Sequence, residues 1–173
     1  GAIRSNNEYD GEIYDARKEL KGWTSAGYDD AKWMQAERVA IPTGTLRGQM
    51  SPNMKVLKTI KPLSVKKHGD SYIVDLGQNM AGWLKTRISG VAAGDTVFIR
   101  FAEKLNADGS LYRDNYRHAF STDKYVADGT ENGRWWAPTF VYHGFRYAEV
   151  KGMKEADINS FIGEVVSDEM AVT

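Results

Sequence analysis

The chain has 173 residues, enough for one ordinary domain or for one domain and part of another. Its 23 basic and 23 acidic residues cancel, so no positive excess exists that would hold nucleic acid or a membrane surface. It contains no apolar run near the roughly 18 residues of a membrane span. The absence of cysteine excludes disulfides and thiolate metal sites, and it is compatible with both the cytoplasm and the periplasm.

The first part of the chain, residues 1–56, is rich in glycine, asparagine and aspartate and poor in apolar residues. No amphipathic helix is visible in it, and only Asp29 to Trp33 could form a single helical turn with an aspartate cap. This composition predicts a loop-rich segment that packs against another part of the protein. The chain begins at Gly1 without a methionine or a visible signal peptide, which we interpret as either an artificial boundary or a cleavage site.

From residue 57 to 168 the pattern changes to short strands separated by glycine and aspartate turns. Thr96 to Glu103 alternates, which places Val97, Ile99 and Phe101 inward. Several such strands predict an all-β fold, an antiparallel β-sandwich or jelly roll. Apolar and aromatic residues within these runs predict the core: Val97, Ile99, Phe101, Phe140, Phe145 and Tyr147.

The stretch from Asp75 to Trp83 predicts a turn between two strands. Glycines permit backbone angles closed to other residues, amide side chains can bond the turn backbone, and an indole ring can cover it. The residues with these roles are Gly77, Gln78, Asn79, Gly82 and Trp83. Amide and indole groups also occur in sugar sites, so carbohydrate binding by this motif is the alternative. The turn accounts for each residue without a ligand, and we prefer the structural interpretation.

A second motif runs from Tyr142 to Val150 and includes His143, Gly144 and Arg146. Histidine can act as a general base or a metal ligand. The three histidines lie far apart in the sequence, with no pair at ligand spacing. A structural role is therefore predicted for His143, Gly144 and Arg146, and no catalytic residue is assigned in this chain.

The segment from Tyr9 to Trp33 has the composition of a sugar-binding surface, in which aromatic platforms lie beside groups that bond hydroxyls. The candidate carbohydrate-binding residues are Asp10, Glu12, Tyr14, Arg17 and Trp33. Carboxylates at this density could also hold calcium through oxygen ligands, but their spacing does not match an EF-hand loop. The alternative is a folded loop whose tryptophans cover the sandwich.

Three signatures resemble bacterial α-L-rhamnosidases of glycoside hydrolase family 78. They occur at Asp10–Arg17, Asp75–Trp83 and Tyr142–Val150, in the family's order, and Thr96–Tyr125 adds further likeness. The resemblance spans nearly the whole chain. It implies a rhamnose-releasing, inverting glycosidase whose β-sandwich modules precede an (α/α)6 catalytic barrel.

The resemblance further implies that residues 1–56 match the end of an N-terminal module and residues 57–168 a concanavalin-like module. Residues 169–173 would start the linker to the catalytic domain. The expected partners are the barrel, neighbouring β-modules and L-rhamnose-containing glycans. In some members the N-terminal module binds rhamnose with calcium. Two alternatives remain open: an autonomous carbohydrate-binding module and a purely structural linker domain.

Overall fold

A computed structural model describes residues 1–169, and its regular structure is almost entirely β. Within these residues no helix is long and apolar enough to cross a membrane. The strands are β1 (Ile3–Asn7), β2 (Gly11–Asp15), β3 (Met54–Ile60), β4 (Ser64–His68), β5 (Ser71–Ile88), β6 (Thr96–Ala102), β7 (Lys104–Leu105), β8 (Leu111–Tyr112), β9 (Thr122–Val126), β10 (Arg134–Trp136), β11 (His143–Lys151) and β12 (Phe161–Asp168). Short 3-10 helices occur at Ala16–Lys18, Asp114–Tyr116 and Ile158–Ser160. The all-β prediction is confirmed. The predicted start of a linker at 169–173 lies outside the described residues apart from Glu169.

One sheet contains ten strands, in the order β1-β2-β9-β6-β11-β5-β12-β3, with β4 and β10 also paired to β5. Its pairings are antiparallel except for β2 with β9, which is parallel. β7 and β8 form a separate hairpin whose turn contains Asp108 and Gly109. The sheet is thus mixed rather than purely antiparallel, because the segment before residue 19 joins it alongside β9.

The long strand β5 is shared by two groups of strands. Residues 71–82 of β5 pair with β11, and residues 82–88 pair with β12 and β10. Buried side chains from both groups meet in one cluster: Val74, Leu84, Ile88, Val97, Ile99, Phe101, Phe145, Val150 and Phe161. The sheet therefore curls around a common core, as expected for a concanavalin-like domain.

Most of the predicted core is confirmed. Val97, Ile99, Phe101 and Phe145 are fully buried. The prediction was wrong for Phe140, which is 72% exposed. Residues 137–142 form an irregular loop between the end of β10 at Trp136 and the start of β11 at His143, so Phe140 does not lie on a strand. Tyr147 is only half-buried on the opposite face of β11 from Ala148.

The predicted turn after Asp75 is a bulge within β5. Tyr147 pairs with Asp75 and Phe145 pairs with Met80, so residues 76–79 lie opposite Arg146 alone. Extra residues on one strand leave the ladder locally and bend the strand. Gly77 takes the left-handed conformation, with φ at +77°, as the sequence led us to expect of a glycine here.

Residues 19–53 connect the first hairpin to β3 without a strand or helix. Between residues 34 and 53 the large apolar side chains are exposed: Met34, Val39, Ile41, Leu46 and Met50. We call residues 34–53 the arm. β3 then runs from Met54 to Ile60, across the predicted boundary between residues 56 and 57.

Candidate functional site

A cavity of about 460 Å³ lies between the first hairpin, the connecting segment and the loop before β11. Four of its lining residues are aromatic: Tyr14, Trp23, Trp33 and Phe140. Leu20, Glu19 and Thr139 complete its wall beside residues 1–3. We call this cavity the aromatic pocket. Its size and its mainly apolar lining with few polar groups are typical of small-ligand sites.

Tyr14 forms the rigid base of the aromatic pocket. Its ring stacks on that of Tyr125 with 5.6 Å between centroids, and it packs at a tilt against Trp136 at 6.0 Å. Burial raises the pKa of the Tyr14 hydroxyl, and the charge of Glu19 raises it further. The hydroxyl is therefore neutral at pH 7 and can both donate and accept a hydrogen bond.

The two tryptophans give the pocket its accessible surface. Trp23 is 58% exposed and Trp33 is 44% exposed. Trp33 packs at a tilt on Tyr28, with 5.7 Å between ring centroids. Its backbone N–H donates to the carbonyl of Asp30, which forms the single turn predicted from Asp29 to Trp33. Flat rings with this exposure can stack on the apolar face of a sugar.

Glu12 supports the pocket from behind rather than lining it. Its side chain is fully buried and accepts hydrogen bonds from the backbone N–H groups of Thr139 and Phe140, at 3.1 and 3.2 Å. The Asn6 amide donates a third bond at 3.0 Å. Burial raises the pKa of Glu12, while the two backbone donors oppose that rise. Glu12 thus holds the loop that presents Phe140 to the pocket.

Asp10 and Arg17 lie away from the pocket lining. Asp10 is exposed in the β1–β2 turn and accepts a hydrogen bond from the Asn7 amide at 3.0 Å. Arg17 forms a two-bond ion pair with Asp15, at 2.8 and 2.9 Å. Of the five predicted sugar-binding residues, the fold therefore brings only Tyr14 and Trp33 together in the pocket. Among residues 1–169 no three histidine or acidic side chains assemble as a possible metal site.

Two of the four aromatic residues in the pocket, Trp23 and Phe140, were not among the predicted sugar contacts. Trp23 belongs to the aromatic-rich segment from Tyr9 to Trp33, so its composition was a usable signal. Phe140 carried no such signal, because its apolar character indicated core. It is exposed because Glu12, distant in sequence, binds its backbone and keeps residues 139–140 out of the sheet.

Charged groups stabilise the β5 bulge. Asp75 accepts the backbone N–H of Gly77 at 2.7 Å and forms a two-bond ion pair with Arg146, at 2.8 and 3.0 Å. The Arg146 guanidinium holds the pKa of Asp75 below its usual value. The same guanidinium lies 4.9 Å above the Tyr147 ring. These contacts connect the two motifs that the sequence singled out.

A polar cavity of about 650 Å³ borders this bulge, and Asn79, Glu103, Arg146 and Tyr147 line it. The Asn79 amide donates to Glu103 at 2.8 Å, whereas Gln78 is exposed. The Asn79 amide is therefore already engaged within the protein. The polar cavity is open to solvent, and one carboxylate, Glu103, lines it.

Gly82 and Trp83 contact β12. A Cβ atom at Gly82 would lie 2.0 Å from the carbonyl oxygen of Glu164, so only glycine permits this approach of the two strands. The Trp83 indole N–H donates to the Glu164 carboxylate at 2.6 Å, and Lys85 pairs with the same carboxylate at 3.0 Å.

His143 belongs to a buried network. Its Nδ1 lies 3.2 Å from the Ser121 hydroxyl and its Nε2 lies 3.1 Å from Asp123 Oδ1, while its ring stacks on Phe101 at 4.1 Å. Ser121, His143 and Asp123 are all buried, so the serine oxygen is not presented to a substrate. Gly144 is exposed, and its carbonyl accepts the Tyr116 hydroxyl at 3.1 Å.

Two family models match the chain. Residues 1–58 match the α-L-rhamnosidase N-terminal domain, and residues 65–167 match the bacterial α-L-rhamnosidase concanavalin-like domain. Similar curated proteins include an α-L-rhamnosidase of Formosa agariphila, 40% identical over 158 residues, which covers 88% of this chain and 16% of that protein. An α-L-rhamnosidase of Streptomyces avermitilis is 40% identical over 155 residues, covering 88% of this chain and 15% of that protein.

Solved structures agree with these matches. The α-L-rhamnosidase from Dictyoglumus thermophilum superimposes with a TM-score of 0.90 at 37% identity, covering 98% of this chain and 19% of that chain. The Streptomyces avermitilis α-L-rhamnosidase complexed with L-rhamnose gives a TM-score of 0.89 at 38% identity, with 98% and 16% covered. The chain thus spans about a sixth of the length of the curated relatives it matches.

Proposed function

The chain belongs to the bacterial α-L-rhamnosidase concanavalin-like domain family, and from this we propose that it serves as the accessory β-region of an enzyme that hydrolyses terminal α-L-rhamnose. The observation that carries the proposal is the match of both rhamnosidase β-modules, in order, over residues 1–58 and 65–167. The relatives are about six times as long, which leaves ample room for a catalytic domain in a protein of that kind.

The cavities at the candidate motifs support an accessory role. Glycoside hydrolysis usually needs two carboxylates that flank the scissile bond. Glu19 is the one carboxylate among the residues that line the aromatic pocket, and Glu103 is the one carboxylate that lines the polar cavity beside the bulge. The buried Glu12 already accepts three N–H groups and does not face a cavity.

This proposal is tested with an aryl α-L-rhamnoside. The purified chain of 173 residues should release no rhamnose, while the protein encoded by the complete gene should release it. Turnover by the chain itself that disappears in its Glu19→Gln variant would overturn the non-catalytic role. A complete gene product without activity on aryl rhamnosides would overturn the rhamnosidase assignment.

We also propose that the arm packs against the remainder of such an enzyme, which includes the catalytic barrel and neighbouring β-modules. Met34, Ile41, Leu46 and Met50 are each more than 90% exposed. Burying one large apolar side chain is worth roughly 1.5–3 kcal/mol, so a neighbouring apolar surface would gain substantially by covering them. Arm variants Ile41→Asp and Leu46→Asp should lower the melting temperature of the complete enzyme but not that of the 173-residue chain.

The aromatic pocket favours a second function, direct contact with carbohydrate. Three exposed rings, Trp23, Trp33 and Phe140, surround Tyr14, and the groups that can bond hydroxyls are Glu19, Thr139 and the Tyr14 hydroxyl. This is the arrangement expected of a site that stacks on a pyranose. It favours carbohydrate contact over a purely structural linker.

A titration with L-rhamnose separates these two functions. Tryptophan fluorescence should saturate with the sugar, and Trp33→Ala should abolish that response. Trp135→Ala is the matched control, because Trp135 is 39% exposed on β10 and does not line the pocket. A response that is absent, or that both variants remove equally, would favour the structural linker.

A further inference from the structure

A groove of about 360 Å³ crosses the outer face of the sheet, on the opposite side of β6 from the core. The register places Phe98 opposite Lys124 and Arg100 opposite Thr122 on β9. Phe120 enters from the loop before β9 and is 69% exposed. We call this the outer-face groove, and its lining differs from that of the aromatic pocket.

Two cationic side chains, Lys124 and Arg100, line the outer-face groove together with one carboxylate, Asp10. The Lys124 ammonium lies 5.8 Å above the Phe98 ring, and within residues 1–169 it has no carboxylate within ion-pair distance. Arg100 is 3.7 Å from Glu149, which also accepts the Ser71 hydroxyl. The Arg100 guanidinium is half exposed, so it retains access to a ligand.

A third cation lies beside Phe120. The Arg113 guanidinium donates to the Phe120 carbonyl. Burial lowers the pKa of Arg113, and the nearby positive charge of Arg100 lowers it further. Arg113 therefore adds a positive charge next to Phe120, outside the groove lining.

The groove lining contains one carboxylate, Asp10, and Glu149 lies beside Arg100 outside the lining. Glu149 is shared between Arg100 and Ser71, and Asp10 at one end of the groove accepts the Asn7 amide. The groove lining therefore carries two cations and one carboxylate, a single excess positive charge, together with the accessible Phe120 ring. Nucleic acid does not fit this pattern, because the whole chain has no net charge to hold a long phosphate backbone.

We propose that the outer-face groove binds an anionic sugar residue, one that bears a carboxylate or a sulfate ester. Lys124 and Arg100 would bind the anionic group, and Phe120 would stack on the sugar ring. A neutral sugar such as rhamnose would leave Lys124 without an ionic partner. The site goes beyond the proposed function, since it gives the accessory region a preference for acidic glycans.

The test uses the purified chain and calorimetric titration with methyl β-D-glucuronide and methyl β-D-glucoside 6-sulfate. Methyl β-D-glucoside is the neutral control, and sodium sulfate tests for a simple ion effect. We expect saturable binding of both anionic glycosides, at least about tenfold tighter than that of the neutral glucoside, and weakened by salt because screening shortens the range of charge interactions.

Two variants locate the site. Lys124→Gln and Phe120→Ala should each weaken binding of the glucuronide by about tenfold or more. Lys67→Gln, an exposed lysine on β4, is the matched control and should change affinity by less than about twofold. Thermal unfolding confirms that each variant is folded, and Phe120 is suitable because it lies largely outside the core.

Three results would overturn the proposal: neutral glucoside that binds as tightly as the charged sugars, sodium sulfate that binds as tightly as the sulfated glycoside, or equal losses in Lys67→Gln and Lys124→Gln. An absence of binding by both anionic glycosides would do the same. None of these results bears on the rhamnosidase assignment, which depends on activity of the complete gene product toward aryl rhamnosides.

Discussion

Phe101 shows how much of the structure depends on single core side chains. Its ring is fully buried, stacks on His143 at 4.1 Å and meets the edge of Phe145 at 4.6 Å. The ring therefore connects β6 with β11 and covers the buried network of His143, Asp123 and Ser121. Removing it would leave a cavity that rigid neighbouring strands could fill only in part.

We expect Phe101→Ala to lower the free energy of unfolding by about 3–5 kcal/mol, the usual cost of deleting a buried phenylalanine. Chemical denaturation followed by tryptophan fluorescence measures this change. Phe120→Ala is the matched control, since its ring is 69% exposed, and it should cost less than about 1 kcal/mol. Similar losses for the two variants would contradict the assigned burial.

At the scale of elements, the junction between β5 and β11 depends on one ion pair. Asp75 binds Arg146 across the strands and the Gly77 N–H within the bulge. Its side chain is only 17% exposed, so solvent screens the pair less than it screens a surface pair. Because Arg146 lowers the pKa of Asp75, the folded state favours the charged carboxylate. The resulting stability is present above the unfolded pKa and is lost as the pH falls through the folded one.

Asp75→Asn should therefore lower the unfolding free energy at pH 7 by about 1.5–3 kcal/mol, the range for hydrogen bonds to charged groups. The difference from the wild-type chain should shrink below about pH 4, where the unfolded aspartate becomes protonated. Denaturation curves at pH 7 and pH 3 test both statements. Asp70→Asn is the control, because its pair with Lys151 is exposed and should matter little. A difference that is equal at both pH values would show that charge is not involved.

The β5 bulge also shows what local sequence can and cannot predict. Alternation from Thr96 to Phe101 depends only on neighbours along the strand, and it identified the buried face of β6 correctly. The glycines after Asp75 indicated a departure from regular strand, which is also correct. That β5 continues through the bulge depends on β11 and β12, which lie far along the chain, so a turn and a bulge could not be distinguished.

The candidate sites also depend partly on local sequence and partly on contacts between distant residues. Tyr14 and Trp33 were identified from composition, because aromatic rings in a polar segment are unusual. Phe140 joins them only through the Glu12 contacts, and the outer-face groove exists only because β6 and β9 pair in one register. Contacts between distant residues decide both sites, and a single sequence carries no direct record of them.

For the molecule as a whole, the first hairpin is an integral part of the sheet. β2 pairs with β9 at Ile13, Tyr14 and Asp15, and Glu12 fixes the loop before β11. The arm between this hairpin and β3 has a different character. Within the described residues, its backbone from 34 to 53 makes no hydrogen bond to other backbone groups. The first hairpin and the strands from β3 onward are therefore connected in two ways, through the exposed arm and through the pairing of β2 with β9.

This arrangement predicts the result of digestion with an arginine-specific protease. Arg38 and Arg47 in the exposed arm should be cut well before Arg100 in β6, because proteases need locally extended, accessible backbone. The cut chain should still elute as one species in gel filtration, since β2 remains paired with β9, and should separate only in denaturant. Equal cutting at Arg100, or separation without denaturant, would contradict the structure. In the complete enzyme the proposed packing of the arm should slow both early cuts, so the same digestion compares the arm with and without its partner.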